Sequence, residues 1–208
     1  MPSVPERGET NRTDTSALSI AASAIAHGLA HGTPPPLRDD YPAALQRPGA
    51  SFVTLTHGDE LRGCIGSLEA HRALAHDLAL NAYAASFLDP RFPPLRDAEV
   101  TALSLEIAIL NPLEAFPCDS ETELLAQLRP HVDGLVLEEG TRHRATFLPK
   151  VWETLPEPAE FLRALRRKAG LAPDYWSESL RFARYTTTVI QGGYLEALAH
   201  DGGYPLPD

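Results

Sequence analysis

The chain has 208 residues, 43% of them apolar, with a net charge of −10 and two cysteines. That length buries one ample core or two smaller lobes without staples, and the acidic balance excludes nucleic acid as a general partner. Two distant cysteines with no leader-like segment before them indicate free thiols in a reducing cytoplasm, and no apolar run approaches the roughly 20 residues that a membrane helix needs. The eight histidines form no HExxH and the cysteines no CxxC, so neither a metal site nor a cofactor is expected.

Residues 1 to 15 are polar and aperiodic, which predicts a disordered N-terminus. From Ser16 to His31, Leu18, Ala21, Ala22, Ile25 and Leu29 recur at helical spacing, with Gly32 as the stop. Prolines at 34, 35, 36, 42 and 48 make the next stretch a long surface connection. Phe52 to His57 and Leu61 to Leu68 then read as the two arms of a hairpin turning at Gly58-Asp59. His71 to Phe87 is an alanine- and leucine-rich helix apolar on two adjoining faces, and Asp89 to Leu95 is a rigid loop with three prolines.

Leu103 to Ile109 alternates as a half-buried strand, leaving Glu106 either on the face where Arg62 emerges or in water. Ser120 to Leu128 is a short capped helix, and Gly134 to Glu138 with Arg142 to Phe147 is a second hairpin. A helical turn follows at Lys150 to Leu155, then a helix over Pro158 to Ala169 stopped by Gly170. The pair Tyr175-Trp176 lies over that helix as an aromatic lid. One final strand covers Leu180 to Ile190, and residues 191 to 208 form a helical fragment and a tail. Helices and hairpins in this irregular order predict an α+β fold and not a doubly wound sheet.

The densest chemistry lies in Leu61-Arg62-Gly63-Cys64-Ile65-Gly66. On a strand, Arg62 and Cys64 emerge on one side and Leu61 and Ile65 on the other. A guanidinium beside a thiol favours the thiolate, so Cys64 and Arg62 are the candidate catalytic pair. Gly63 and Gly66 leave the backbone bare, where another backbone or a ligand can approach. A buried cysteine that merely packs is the structural alternative.

Several segments together resemble one known family. They are Leu61 to Gly66, Asp89-Pro90-Arg91-Phe92-Pro93-Pro94, Arg144-Ala145-Thr146-Phe147-Leu148-Pro149 with Val151-Trp152, and Arg167-Lys168-Ala169-Gly170 followed by Tyr175-Trp176. In this order and spacing they are similar to the AMMECR domain, whose bacterial members are called AmmeMemoRadiSam system protein A. The similarity spans about Ser16 to Ile190. It implies two subdomains with mixed or antiparallel sheets flanked by helices, a cleft lined by the first motif, and partners that are a Memo-like protein and a radical SAM protein. It supplies no agreed activity. By motif, Gly63, Gly66, Asp89, Arg91, Phe92 and Thr146 become candidate ligand-binding residues, to which Glu106 and Arg144 are added from the strand readings. His143 lies just before the third motif, outside the positions that the resemblance carries over, and Cys118 matches no motif.

Three functions fit. In the first, Arg62, Arg91 and Arg144 form a basic pocket for a small anionic ligand or an acidic partner segment. In the second, Cys64 is a thiolate nucleophile, Arg62 binds an anionic substrate group, and the glycine amides hold a developing oxyanion. In the third, the domain is a non-catalytic scaffold for its partners.

Overall fold

In the computed structural model, which describes residues 7–199, the first helix is longer than its apolar periodicity suggests. Helix α1 runs Arg7–His31, so its opening turns occupy residues that polarity alone marks as loose. The remaining elements are β1 (Pro48–Gly49), β2 (Ser51–His57), β3 (Glu60–Gly66), β4 (Arg72–Ala73), α2 (Leu74–Phe87), β5 (Leu103–Leu110), β6 (Glu114–Ala115), α3 (Glu121–Gln127), β7 (Gly134–Glu139), β8 (His143–Phe147), α4 (Pro158–Lys168), β9 (Leu180–Tyr185), β10 (Thr187–Gly193) and α5 (Tyr194–Ala199). Short 3-10 helices cover Asp97–Ala102 and Pro149–Glu153. Residues 200 to 208, the end of the expected tail, lie outside the described residues.

The segment expected to be one final strand is two. β9 joins a sheet in the order β6-β9-β7-β8, and β10 joins the other four-stranded sheet, β10-β5-β2-β3. Thr186 separates them, and the chain returns to the first compact unit at Thr188, one residue into β10. Among the described residues the first unit runs to Ile109 and resumes at Thr188, and the second is Leu110–Thr187. The fold is α+β, built from antiparallel pairings.

The first unit packs Val53, Leu55, Leu105 and Ile107 of its sheet against Ala75, Leu78 and Ala82 of α2 and Ala21 and Ile25 of α1. Alanine at the contact positions lets two helix backbones and a sheet share one core at close range. At Gly28 an added Cβ would lie 2.2 Å from the Phe87 ring, so that glycine seats α1 against the end of α2. The second unit is built around Trp152, stacked on Phe161 with ring centroids 3.8 Å apart, together with Leu135, Leu137, Leu162 and Leu165. The Trp152 indole donates to the Asp133 carbonyl at 2.7 Å, which satisfies its buried N–H. No described helix is long and apolar enough to cross a membrane.

Candidate functional site

The hairpin of β2 and β3 carries the central motif, and a bulge changes its face pattern. Leu55 is opposite Gly63 while Thr56 is opposite Leu61, so Arg62 is the extra residue. The bulge moves Leu61 to the face of Thr56, Thr54 and Cys64. Ile65, opposite Val53, packs against the core. The strict alternation expected from Leu61 to Ile65 therefore stops at Arg62. Thr54 is also opposite Glu106 of β5, which places Cys64, Thr54 and Glu106 on one face of the sheet with Thr54 in the middle. The Gln191 amide donates to the Glu106 carboxylate at 2.6 Å.

Helix α2 explains one glycine of the motif and strand β2 the other. A Cβ on Gly63 would lie 2.1 Å from the Ala85 carbonyl oxygen, and one on Gly66 would lie 2.3 Å from the Phe52 ring and 2.6 Å from the Ser51 carbonyl. The bare backbone is occupied by the protein itself, a helix carbonyl in one place and an aromatic ring in the other. Two buried aspartates at the ends of α2 then fix the strand. Asp77 accepts hydrogen bonds from the Ser51 amide, the Ser51 and Ser67 hydroxyls and the Asn81 amide. Asp89, 4% exposed, accepts the Cys64 amide at 2.9 Å and the Arg91 amide at 3.1 Å.

The cation attached to Cys64 is Arg91. Its guanidinium donates to both Asp89 oxygens, from Nε at 3.0 Å and Nη2 at 2.7 Å, and Nη2 also donates to the Cys64 carbonyl at 3.2 Å. Arg91 holds the Asp89 carboxyl well below the usual carboxylate range, helped by the Cys64 and Arg91 amides and opposed by burial. In return Asp89 pushes Arg91 above the ordinary guanidinium range, with a smaller push from the Cys64 sulfur. The Arg91 side chain is 53% exposed, while that of Asp89 is sealed.

Arg62 is committed elsewhere. It is 8% exposed, and its Nε lies 2.6 Å from a Glu99 oxygen while Nη2 donates to the Pro93 carbonyl at 2.8 Å. Glu99 is held below the usual carboxylate range chiefly by that guanidinium. The Phe92 ring lies within cation–π range of both arginines, 6.0 Å from Arg62 and 5.4 Å from Arg91. Arg62 thus anchors the proline-rich loop, and Arg91 accompanies the thiol. Cys64 is half-buried as a residue, and its sulfur accepts the Thr54 hydroxyl at 3.3 Å.

The other expected residues belong to the second unit. Arg144 pairs with Glu138 at 2.9 Å. Thr146 is buried, donates to the Leu135 carbonyl and shares a 2.9 Å hydrogen bond with the Tyr185 hydroxyl, so its side chain holds the sheet together. Cys118 is half-buried, and burial pushes its thiol up. Thr54, Asp77 and Glu99 were not expected. Asp77 could have been found as a lone acid inside an alanine-leucine helix, whereas Glu99 gives no such signal.

The AMMECR1 family model matches residues 18–190. A protein of Methanothermobacter thermautotrophicus is 33% identical over 179 residues, covering 83% of this chain and 91% of that one. Protein MJ0810 of Methanocaldococcus jannaschii is 34% identical over 161 residues, 74% of this chain and 78% of its own length. The crystal structure of the uncharacterized protein PH0010 from Pyrococcus horikoshii superposes with a TM-score of 0.76 at 29% identity, over 86% of this chain and 90% of that one.

Proposed function

The chain belongs to the AMMECR1 family, and from that premise we propose that its first unit is a binding component that receives a small anionic ligand beside Cys64. Arg91 and Phe92 are the receiving side chains, and Asp89 and Arg62 are positioning residues. The component works in the cytoplasm with a Memo-like protein and a radical SAM protein. One observation carries the reading. A buried carboxylate grips the Cys64 amide and the Arg91 guanidinium together, so a half-exposed cation and a half-buried cysteine are held as one rigid pair. Arg62, Arg91 and Arg144 all have carboxylate partners, but Arg62 is 8% exposed and Arg144 belongs to the second unit, which leaves the half-exposed Arg91 as the cation beside Cys64.

Alkylation of Cys64 by iodoacetate and by the neutral iodoacetamide, followed by mass spectrometry of that cysteine, tests the reading. Arg91→Ala should lower the anionic-to-neutral rate ratio about fivefold, the worth of roughly 1 kcal/mol of charge attraction at a solvent-facing site. Arg91→Lys should retain most of the ratio. An unchanged ratio in Arg91→Ala overturns the anion site. A second reading, in which Cys64 is a nucleophile in an enzyme component, is favoured by the Thr54 hydroxyl on its sulfur. There, Thr54→Val changes both rates alike, whereas loss of Arg91 changes their ratio.

A further inference from the structure

A cavity of about 390 Å³ opens at the turn between β7 and β8, formed by residues 139 to 143 with Leu171 and Tyr175. It lies within the second unit and shares no residue with the Cys64 site. Glu139 and His143 are directly opposite in the ladder, so both side chains leave the same face. Three hydroxyls converge on the Glu139 carboxylate. Ser179 donates to Oε1 at 2.6 Å, Tyr175 to Oε1 at 3.0 Å, and Ser177 to both oxygens at 3.1 Å. These donors hold Glu139 below the usual carboxylate range, Ser179 foremost, with burial opposing and the nearby His143 adding a smaller pull. Among the described residues no Lys or Arg forms an ion pair with it.

His143 is oriented by the end of α4. Gly170, at φ +77°, stops the helix, and the Ala169 carbonyl is left facing the ring. A carbonyl only accepts, so the 2.9 Å contact fixes the hydrogen on Nδ1 and leaves Nε2 as the acceptor of the neutral ring. Among the described residues Nε2 has no hydrogen-bond partner. The cavity thus combines an ionised carboxylate without a Lys or Arg counterion, a fixed imidazole lone pair and two apolar walls, Leu171 and the Tyr175 ring.

We propose that this cavity is a binding site for a primary alkylammonium group, which donates to Glu139 Oε2 and His143 Nε2 and lays its carbon chain against Leu171 and Tyr175. An ammonium has three donors on one compact charge, which suits two acceptors converging from one face. A divalent metal fits less well, because no group of three or more His, Cys, Asp or Glu able to hold one occurs among the described residues. Arg142 also lines the cavity but is exposed, so its repulsion of a cation is that of two charges in the high dielectric of water.

The test is a titration of the full ¹⁵N-labelled chain with n-butylammonium chloride at about pH 8 and constant ionic strength, with n-butanol as the uncharged probe of equal length. Saturable shifts should be confined to the amides of Gly140 to His143 and of Leu171, with no comparable response to butanol. Glu139→Gln should weaken binding at least about fivefold, as loss of a charged hydrogen-bond partner does. Because that change also loosens three hydroxyl tethers, His143→Gln is the second variant. It leaves the carboxylate in place and should weaken binding as well. Equal shifts with butanol, no saturation, or wild-type affinity in His143→Gln overturns the site.

Discussion

The two units are alike in plan, each an antiparallel sheet with helices against its core, yet the Cys64 strand of the first and the β7–β8 turn and α4 end of the second use glycine in opposite ways. In the first unit, Gly63 and Gly66 lie on a strand under a helix carbonyl and an aromatic ring. In the second, Gly140 and Gly170 have φ of +57° and +77°, and nothing lies within 4 Å of a Cβ placed on Gly140. The first pair allows close approach of other groups, and the second allows the chain to turn. Asp77 and Asp89 of the first unit and Asp133 of the second are sealed and accept backbone amides, whereas Glu139 is partly exposed and accepts three hydroxyls. A glycine can therefore mark a rigid platform at one place and a bend at another, and only the neighbours tell them apart: Gly58 turns the chain in the first unit, and Gly134 in the second lies under the Tyr185 ring.

Gly63→Ala breaks that contrast most severely. The new methyl meets a helix backbone oxygen at 2.1 Å, and a backbone cannot swing aside as a side-chain tip can. The first unit should lose roughly 3 kcal/mol or more. Gly140→Ala has open space and only an unfavourable φ, and should cost about 1 kcal/mol. Both tryptophans belong to the second unit, so their fluorescence during denaturant unfolding follows that unit, while hydrogen–deuterium exchange of the β2 and β3 amides follows the first. Equal midpoint shifts in the two variants would mean that α2 yields to the methyl, and the rigid-platform description would then fail.

The next effect separates the units by pH. Burial pushes the Tyr185 hydroxyl in the second unit up to about 12. A group whose pKa is raised on folding stabilises fully below its unfolded value, near 10, and loses that contribution as pH rises through 12. The loss is on the order of 2–3 kcal/mol and should be absent in Tyr185→Phe. Asp89 works in the opposite direction in the first unit. Its folded pKa is depressed, so its contribution is complete above an unfolded value of about 3.9 and disappears as pH falls through the depressed folded value. Exchange protection of the β2 and β3 amides should therefore fail first in acid, and tryptophan fluorescence should change first in alkali. Asp89→Asn should flatten only the acid limb.

Periodicity made most of the fold legible, because the core stripes of α2, β5 and α4 follow directly from burial. The hairpin arms, the capped helix at Glu121 and the stop at Gly170 were equally readable, since each depends on nearby residues. The bulge at Arg62 was not, because register depends on the partner strand. Nor was the break at Thr186, since the threonine-rich run has the same strand propensity on either side and the choice of sheet is tertiary. At the site, the motif residues Asp89, Arg91 and Cys64 meet, which loop composition alone could not require. The allocation of cations was hidden: Arg62, two positions away in sequence, serves Glu99 and the loop, while Arg91, 27 residues away, reaches the Cys64 carbonyl.

Cys64→Ser should produce the smallest change and is the sharpest test of what the platform is for. Cys64 is half-buried, and the hydrogen bond its sulfur accepts from Thr54 at 3.3 Å can be remade by a serine oxygen with a small shift of the Thr54 rotamer. The peptide at this position is held by Asp89 and Arg91 through backbone atoms that the substitution does not alter. Stability should therefore change by less than about 1 kcal/mol, within the range of ordinary partly exposed substitutions. The thermal midpoint should stay close to that of the parent chain. A loss comparable to that of Gly63→Ala would mean that the sulfur is a packing atom, and the rigid frame around it would then exist to fill space and not to present a thiol.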